Sequence, residues 1–577
     1  MLKDKLLPDS NYDANEWRFW LIALLIFTCL ISQPLFSTSV ILAGHDWAFH
    51  LSRIEGMSVS LAVGQFPVKL VGHVFNGYGE MSGFFYPNLF FHIPAALHLI
   101  GMSIISAYNF FCVLINLATV LISWWSFSKF FDSIKIGAVT AMIYSGFSYR
   151  LIDIYSRSAI SEALAMVFLP LAIISLWLMF QRSPRYWSSA VLGFTGVLQS
   201  HIISSAMLAG VSIIIVLLSL KQLKNRAVLL AAGKSAIFIT LFNIWFYLPF
   251  CDLYNKIHFH MQDDSKSGYN GYNISDIVFK INDIYSILIF CGLLTLIIIS
   301  AFIVHFMIKK FYVPRTFWIM LAISLIAMAI MFSASFWKVI EATPILSSAF
   351  KVVQFHYRFM ILGSITFSCC VSWILIKTFS NRWILCLCCF AIASVNMIFL
   401  LKSNSQSEAI NGAVVDWSIH KMTMADIDNL KFNSYKAGYM DYIYSDITWD
   451  DIFVDANGKP DTDKPSKIPF NKIEPAEFVT NFQKIGMSIK FTAHINEPMS
   501  FKLPLFYYPG YEAVNADGTA LAITSVDKHI LQVDLPTGEN TVTVYYAGKF
   551  IWRVAEFISL MSLIIFTIQC KFQKLTR

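Results

Sequence analysis

The sequence predicts a polytopic α-helical membrane protein of about twelve transmembrane helices, with a β-sandwich inserted before the last of them. Three observations carry that expectation. Of 577 residues, 56% are hydrophobic, 16% aromatic and only 14% charged, against about 25% charged in a soluble domain. Apolar runs at 20–31, 213–220, 287–304, 317–332, 384–401 and 557–568 approach, with their flanks, the ~20 residues that cross a hydrocarbon layer. A polar stretch before the last run alternates with the period of strands.

The first apolar run follows Asp-bearing polar sequence, continues through Ile41 and has no small-residue cleavage pattern, so it reads as a span and not as a signal peptide. The net charge of +7 is scattered at helix ends, which excludes a nucleic-acid footprint and leaves membrane lipids as partners. Lys3, Lys5 and Arg18 at one end, then Lys129/Lys135, Arg182/Arg185, Lys221/Lys224/Arg226, Lys309/Lys310/Arg315, Lys377/Arg382 and Lys571/Lys574/Arg577, all fall on one side if spans alternate. By the positive-inside rule that side is cytoplasmic, and both termini lie there. All ten cysteines lie in or beside apolar segments, so neither a disulfide framework nor a metal cluster is expected of them.

This divides the chain into a membrane domain over 1–401 with a first outer loop at about 44–106, an extracytoplasmic mixed or β-sandwich domain over 402–548, and a final helix with a basic tail over 549–577. In the outer loop, Gly, Pro and His interrupt the apolar sequence, and 87–99 has the length of an interfacial or re-entrant helix. In the outer domain, strands are predicted at 487–495, 500–507, 521–525, 530–535 and 541–546, with Asp517-Gly518 and Thr537-Gly538 as turn residues. The stretch 410–477 has no clear period.

The chemistry-bearing residues gather at the outer ends. After the first span comes Gly44-His45-Asp46-Trp47-Ala48-Phe49-His50-Leu51-Ser52-Arg53. Read as a rigid helical extension of that span, it puts Asp46, His50 and Arg53 within roughly 60° on one face. A carboxylate, an imidazole and a guanidinium so aligned suit proton acceptance and the holding of a phosphate or a metal; interfacial i,i+4 pairing is the bland alternative. A second group is Arg150, Asp153, Arg157 and Glu162. Asp153 and Arg157 have the spacing of a helical ion pair, and Glu162 in a first helical turn suits the helix dipole. His201 precedes a span and reads equally as a packing residue. Arg358, beside His356, either snorkels to the interface or neutralises a lipid phosphate. His258, His260, Asp263 and Asp264 are metal-ligating in type but match no ligand spacing.

The series Asp46-x3-His50-x2-Arg53-Ile54-Glu55-Gly56, Gly64-Gln65-Phe66-Pro67, Asn76-Gly77-Tyr78-Gly79 and Phe85-Tyr86-Pro87 resembles a bacterial membrane protein family labelled 6-pyruvoyl-tetrahydropterin synthase-related. The resemblance continues through Arg157-Ser158-Ala159-Ile160-Ser161-Glu162, Phe168-Leu169-Pro170-Leu171, Gln199-Ser200-His201 and Gln354-Phe355-x-x-Arg358-Phe359. The stretch Pro504-Leu505-Phe506-Tyr507-Tyr508-Pro509-Gly510-Tyr511 is similar to the outer sandwich of this group and of YfhO-type proteins. The chain departs from the family at His356-Tyr357, where Pro-Trp is usual, and at Ser158, where Gly is usual.

Such proteins resemble GT-C glycosyltransferases, and the resemblance implies a bacterial inner (plasma) membrane enzyme. It would move a sugar from a polyprenyl-phosphate donor to a cell-envelope glycan or lipid acceptor on the outer face. Asp46 would be the base; His50, Arg53, Arg157 and Arg358 would bind the donor phosphate or a divalent metal; Glu162, His201, Tyr86 and His356 would support them. A transporter of envelope precursors and a non-catalytic glycan-binding scaffold are the alternatives. The first calls for ionisable residues at mid-membrane and repeated halves; the second, for an Asp46 that tolerates replacement.

Overall fold

The computed structural model of the chain describes residues 14–75, 77–263, 313–332, 334–344, 347, 353–402, 409–410, 413–414, 420–428, 438–452 and 472–575. The apolar run 287–304, the basic pair Lys309/Lys310, Asp264 and Asn76 lie outside them.

The first half is helical: α1 (Ala14–Ser32), α2 (Trp47–Ala62), α3 (Ser82–Phe85), α4 (His92–Leu99), α5 (Ile104–Phe131), α6 (Ile134–Ser145), α7 (Ser148–Tyr155), α8 (Ile160–Gln181), α9 (Trp187–Leu198), α10 (Ile202–Leu218), α11 (Arg226–Tyr254) and α12 (His260–Asp263). There follow α13 (Arg315–Phe332), α14 (Ala334–Ala342), α15 (Met360–Thr378), α16 (Arg382–Lys402), α17 (Met424–Asp428), α18 (Trp449–Ile452) and α19 (Phe550–Leu575).

Six stretches are long and apolar enough to cross a membrane: Ala14–Phe36, Ile104–Phe131, Ile160–Gln181, Arg226–Tyr254, His356–Thr378 and Phe550–Lys571. Four shorter apolar helices join them, Ile134–Ser145, Ile202–Leu218, Arg315–Met331 and Arg382–Ile398. Among the described residues that is the extent to which the roughly twelve spans appear.

Local signals set the ends. Ser103 caps α5 by accepting from the N–H of Ser106, Ser133 caps α6 through Ile136, and Asn225 caps α11 through Ala227, each satisfying a donor that helix geometry leaves open. At 1.5 Å per residue, the 28 residues of α5 run about 42 Å. Its buried face carries Asn109, Asn116, Thr119 and Ser123. The Asn116 amide donates to Ser32 Oγ at 3.0 Å, and Arg150 donates to Asn116 Oδ1 and Thr119 Oγ1, both at 2.8 Å. Asn116, Thr119 and Arg150 thus meet side chain to side chain inside the bundle.

The segment after α1 departs from the expected rigid extension of that helix. That helix stops at Ser32, a 3-10 turn follows at Gln33–Phe36, and strand β1 (Ile41–Ala43) precedes α2. Pro34 ends the regular helix by removing a backbone donor. Asp46 is therefore the residue before α2 rather than part of a continuous helix, and the helical count that grouped it with His50 and Arg53 starts one residue after it.

The C-terminal part begins with β2 (Ala409–Ile410), β3 (Ala413–Val414) and β4 (His420–Met422). It continues with β5 (Val479–Ile485), β6 (Ser488–Ile495), β7 (Met499–Phe506), β8 (Tyr511–Val514), β9 (Ile523–Val526), β10 (Ile530–Leu535) and β11 (Gly538–Tyr546). One sheet runs β5-β6-β11-β8 and the other β7-β10-β9, all neighbours antiparallel. Alternate residues Ile489, Phe491, Phe501, Leu503, Leu505, Val542 and Val544 fill the space between, as period-two burial requires. The five alternating stretches are strands. Two more, β5 and β8, escaped notice: β5 carries no clean alternation of burial and β8 is four residues long.

This sheet unit is tied to the segment between α1 and α5. β1 pairs antiparallel with β4, Ile41 opposite Met422 and Ala43 opposite His420. Phe506 N–H donates to Tyr78 O at 3.1 Å, and Tyr508 Oη to Gly79 O at 3.2 Å. Met81 N–H donates to Tyr442 O at 3.2 Å. Gly79 sits at φ +83°, and a Cβ there would meet the Met487 thioether at 2.6 Å, so only glycine permits this contact.

Candidate active site

The site is built where the 156–158 turn, the start of α2 and the start of α15 meet. Asp46 comes first. Its backbone N–H donates to Arg157 O at 2.9 Å, and Gly44 N–H to Ser158 Oγ at 3.0 Å. The chain fits tightly here: a Cβ on Gly44 would fall 2.2 Å from Ser156 O. An aspartate at a helix N-cap ordinarily accepts from the N–H groups of the first turn. Asp46 does not. Among the described residues its carboxylate makes no hydrogen bond or ion pair, and it keeps an accessible surface.

Asp46 is an exposed residue with densely packed protein around it. Burial is the largest influence on the carboxyl and raises its pKa; Arg157 and then Arg358 pull it down, while Glu162 and Asp441 add to the rise.

The two cations beside it share one acid, Glu162, and Arg157 has Asp153 as well. Arg157 donates through Nη1 to Asp153 Oδ1 at 2.5 Å and to Glu162 Oε2 at 3.1 Å. Arg358 donates through Nε to that same Glu162 oxygen at 3.1 Å, and through Nη1 to Gln354 Oε1 at 2.8 Å and Val353 O at 2.9 Å. Tyr149 Oη donates to Glu162 Oε1, and the Arg157 guanidinium lies 4.9 Å from the Tyr357 ring centroid. Arg157, Glu162, Asp153 and Arg358 are all buried. Arg358 is therefore no snorkelling residue: it turns inward to α8.

His50 and Arg53 stand one layer away. The His50 ring stacks on Phe91 with centroids 5.1 Å apart. Arg53 donates through Nη2 to Pro87 O at 2.8 Å and is enclosed by the rings of Phe91, Tyr86 and Phe49 at 4.1, 4.8 and 5.3 Å. Burial, and next the Arg53 charge, hold the His50 ring neutral. Tyr86 bridges the layers, 6.1 Å from His201 between ring centroids. His356 is buried, its ring 6.4 Å from that of Trp337.

The 438–452 segment, whose structure the sequence left open, supplies residues the motifs missed. Phe49 stacks on Tyr442 at 5.6 Å and meets Tyr439 edge-on at 5.2 Å. Asp441 lies within electrostatic reach of Asp46 and Glu80. Glu80 accepts from Tyr439 N–H at 3.4 Å. Burial raises its pKa to about 7 despite Ser82, Tyr439 and Arg53. The density of aromatic and acidic residues in 438–452 was the available signal.

As to metals, His260 Nε2 pairs with Ile447 O at 2.7 Å. Among the described residues no group of three or more His, Cys, Asp or Glu side chains is placed to hold an ion.

No family model matches the chain, and no curated protein matches it in sequence. Among solved structures it is similar to the mycobacterial arabinofuranosyltransferase AftD, with TM-score 0.40 and 14% identity over 66% of this chain. A mutant of that enzyme matches with TM-score 0.37 and 15% identity over 66%. The chain spans 27% of the length of either.

Proposed function

We propose that this protein is a membrane glycosyltransferase that moves a sugar from a polyprenyl-phosphate donor to a glycan or lipid acceptor at the end of the helical bundle that carries the sheets. One observation carries the reading: Asp46, an exposed residue whose carboxylate makes no hydrogen bond among the described residues, stands beside two buried guanidiniums that share one carboxylate oxygen.

Each part has a chemical use. The acceptor hydroxyl gives its proton to Asp46 as its oxygen bonds to the anomeric carbon. The bond from that carbon to the donor phosphate oxygen breaks, and its electron pair leaves with the phosphate. A phosphate leaving group needs no protonation, so one carboxylate suffices where glycoside hydrolases use two. Arg157 and Arg358 answer the charge gathering on the phosphate. Glu162 fixes their positions and offsets part of their charge. Aromatic residues Phe49, Tyr86, Tyr439 and Tyr442 suit the faces of a sugar or an isoprenoid. By the positive-inside rule, the basic clusters Lys129/Lys135, Arg182/Arg185 and Lys377/Arg382 support a cytoplasmic placement for the helix ends they flank, and with it a site on the outer face.

The test is transfer of labelled sugar from polyprenyl phosphate in membranes carrying Asp46→Asn. We expect transfer to drop at least a hundredfold, about the contribution of a positioned base, with protein levels unchanged. Undiminished transfer removes Asp46 from this role and the reading with it.

A further inference from the structure

Resting on that reading, we infer that His201 is a neutral hydrogen-bond donor to the donor phosphate, its proton placed by the helix it caps. The break between α9 and α10 sets the residue out of helical geometry, at φ −152° and ψ 122°. Neighbours lock the break. Gln199 Nε2 donates to Asn243 Oδ1 at 2.8 Å, Tyr247 Oη to Leu198 O at 3.2 Å, and Ser200 Oγ to Gly196 O at 2.6 Å.

At the N-cap of α10, His201 Nδ1 receives the backbone N–H of Ser204 at 3.4 Å and lies 2.9 Å from Ser204 Oγ. A backbone N–H can only donate, so Nδ1 is the accepting nitrogen and the ring proton resides on Nε2. Nε2 is at the far edge of the ring from α10 and makes no hydrogen bond among the described residues. The ring is buried, packs toward Tyr86, and has Arg358, Glu162 and Arg157 as its charged neighbours, with His50 beyond. Burial and the two guanidiniums keep it uncharged. A fixed Nε2–H near two cations is a third donor available to the same anion. It adds direction without adding another charge to the bundle.

The side chain's two jobs separate cleanly in two variants. In His201→Asn, Oδ1 takes the place of Nδ1 and keeps the cap, but nothing replaces Nε2–H. In His201→Gln, Nε2 can reproduce the far donor while the cap is weakened. The purified full-length protein in nanodiscs is measured for binding of a polyprenyl monophosphate, for sugar transfer and for thermal stability, with Asp46→Asn alongside. We expect His201→Asn to melt like the parent, yet bind roughly ten- to hundredfold more weakly, the size of one hydrogen bond to a charged group. His201→Gln should melt lower and bind within a few fold of the parent. Equal binding by the parent and His201→Asn overturns the inference alone, as does weakened binding by Gln and Asn in proportion to lost stability. No binding of polyprenyl monophosphate by the parent overturns the inference and the transferase reading together, whereas full transfer by Asp46→Asn overturns only the reading.

Discussion

The backbone N–H of Asp46 donates to the backbone carbonyl of Arg157 at 2.9 Å. Residues 111 positions apart are thus joined main chain to main chain, so the backbones that carry acid and guanidinium keep a fixed separation whatever rotamers the side chains adopt. Positions fixed in this way matter because small misplacements of a reacting group are costly.

Gly44 guards that join. Gly44→Ala puts a methyl 2.2 Å from Ser156 O and 2.6 Å from Ser158 Oγ, and neither backbone can yield without breaking the pairing. We expect a stability loss of about 1–3 kcal/mol and a larger proportional loss of transfer. Thermal unfolding and initial rates on the same preparation test it; wild-type rates in the alanine variant refute it.

Glu162 should be the least replaceable residue of the set. Glu162→Gln leaves Arg157 and Arg358 buried without their shared counter-charge, and breaking such pairs costs about 3–5 kcal/mol. The expected result is a sharp drop in thermal stability in detergent. A Gln variant as stable as the parent contradicts the buried network.

The pH profile of transfer follows from Asp46. Its active form is the carboxylate, and burial raises its pKa. Activity should therefore disappear as pH falls through a midpoint above the ordinary aspartate value of about 4. An acid limb at or below that value speaks against that effect of burial.

Glu80 gives a separate pH dependence, of stability. Burial raises its folded pKa to about 7 from 4.5, so the folded state binds the extra proton between those values. Its contribution is fully present below about 4.5 and is lost as pH rises through about 7, on the order of 3 kcal/mol at most. Glu80→Gln should flatten this part of the curve, measured by thermal unfolding between pH 5 and 8.

What could be read in the sequence was what local spacing encodes. Asp153 and Arg157 form the i,i+4 pair that their interval suggests. Glu162 occupies the first turn of α8, and the alternating stretches are strands. Asp46 escaped correct placement because a helical count assumes the helix has begun, whereas β1 intervenes. Arg358 finding Glu162, and Tyr442 finding Phe49, are contacts between distant stretches. No period or turn signal within either stretch specifies such a partner. The register of β1 on β4 is hidden for the same reason, since a three-residue strand is too short to alternate visibly.

That β1–β4 ladder has a consequence for biogenesis. Asp46 emerges from the ribosome early, but Tyr439, Asp441 and Tyr442, and the strand that holds the first loop in place, are made nearly four hundred residues later. A nascent chain halted before residue 420 carries the acid and its two arginines without the 438–452 segment beside them. The surroundings of the acid are complete only when residues about three-quarters of the way along the polypeptide dock back onto its beginning, so premature termination yields a protein that inserts but stays chemically unfinished.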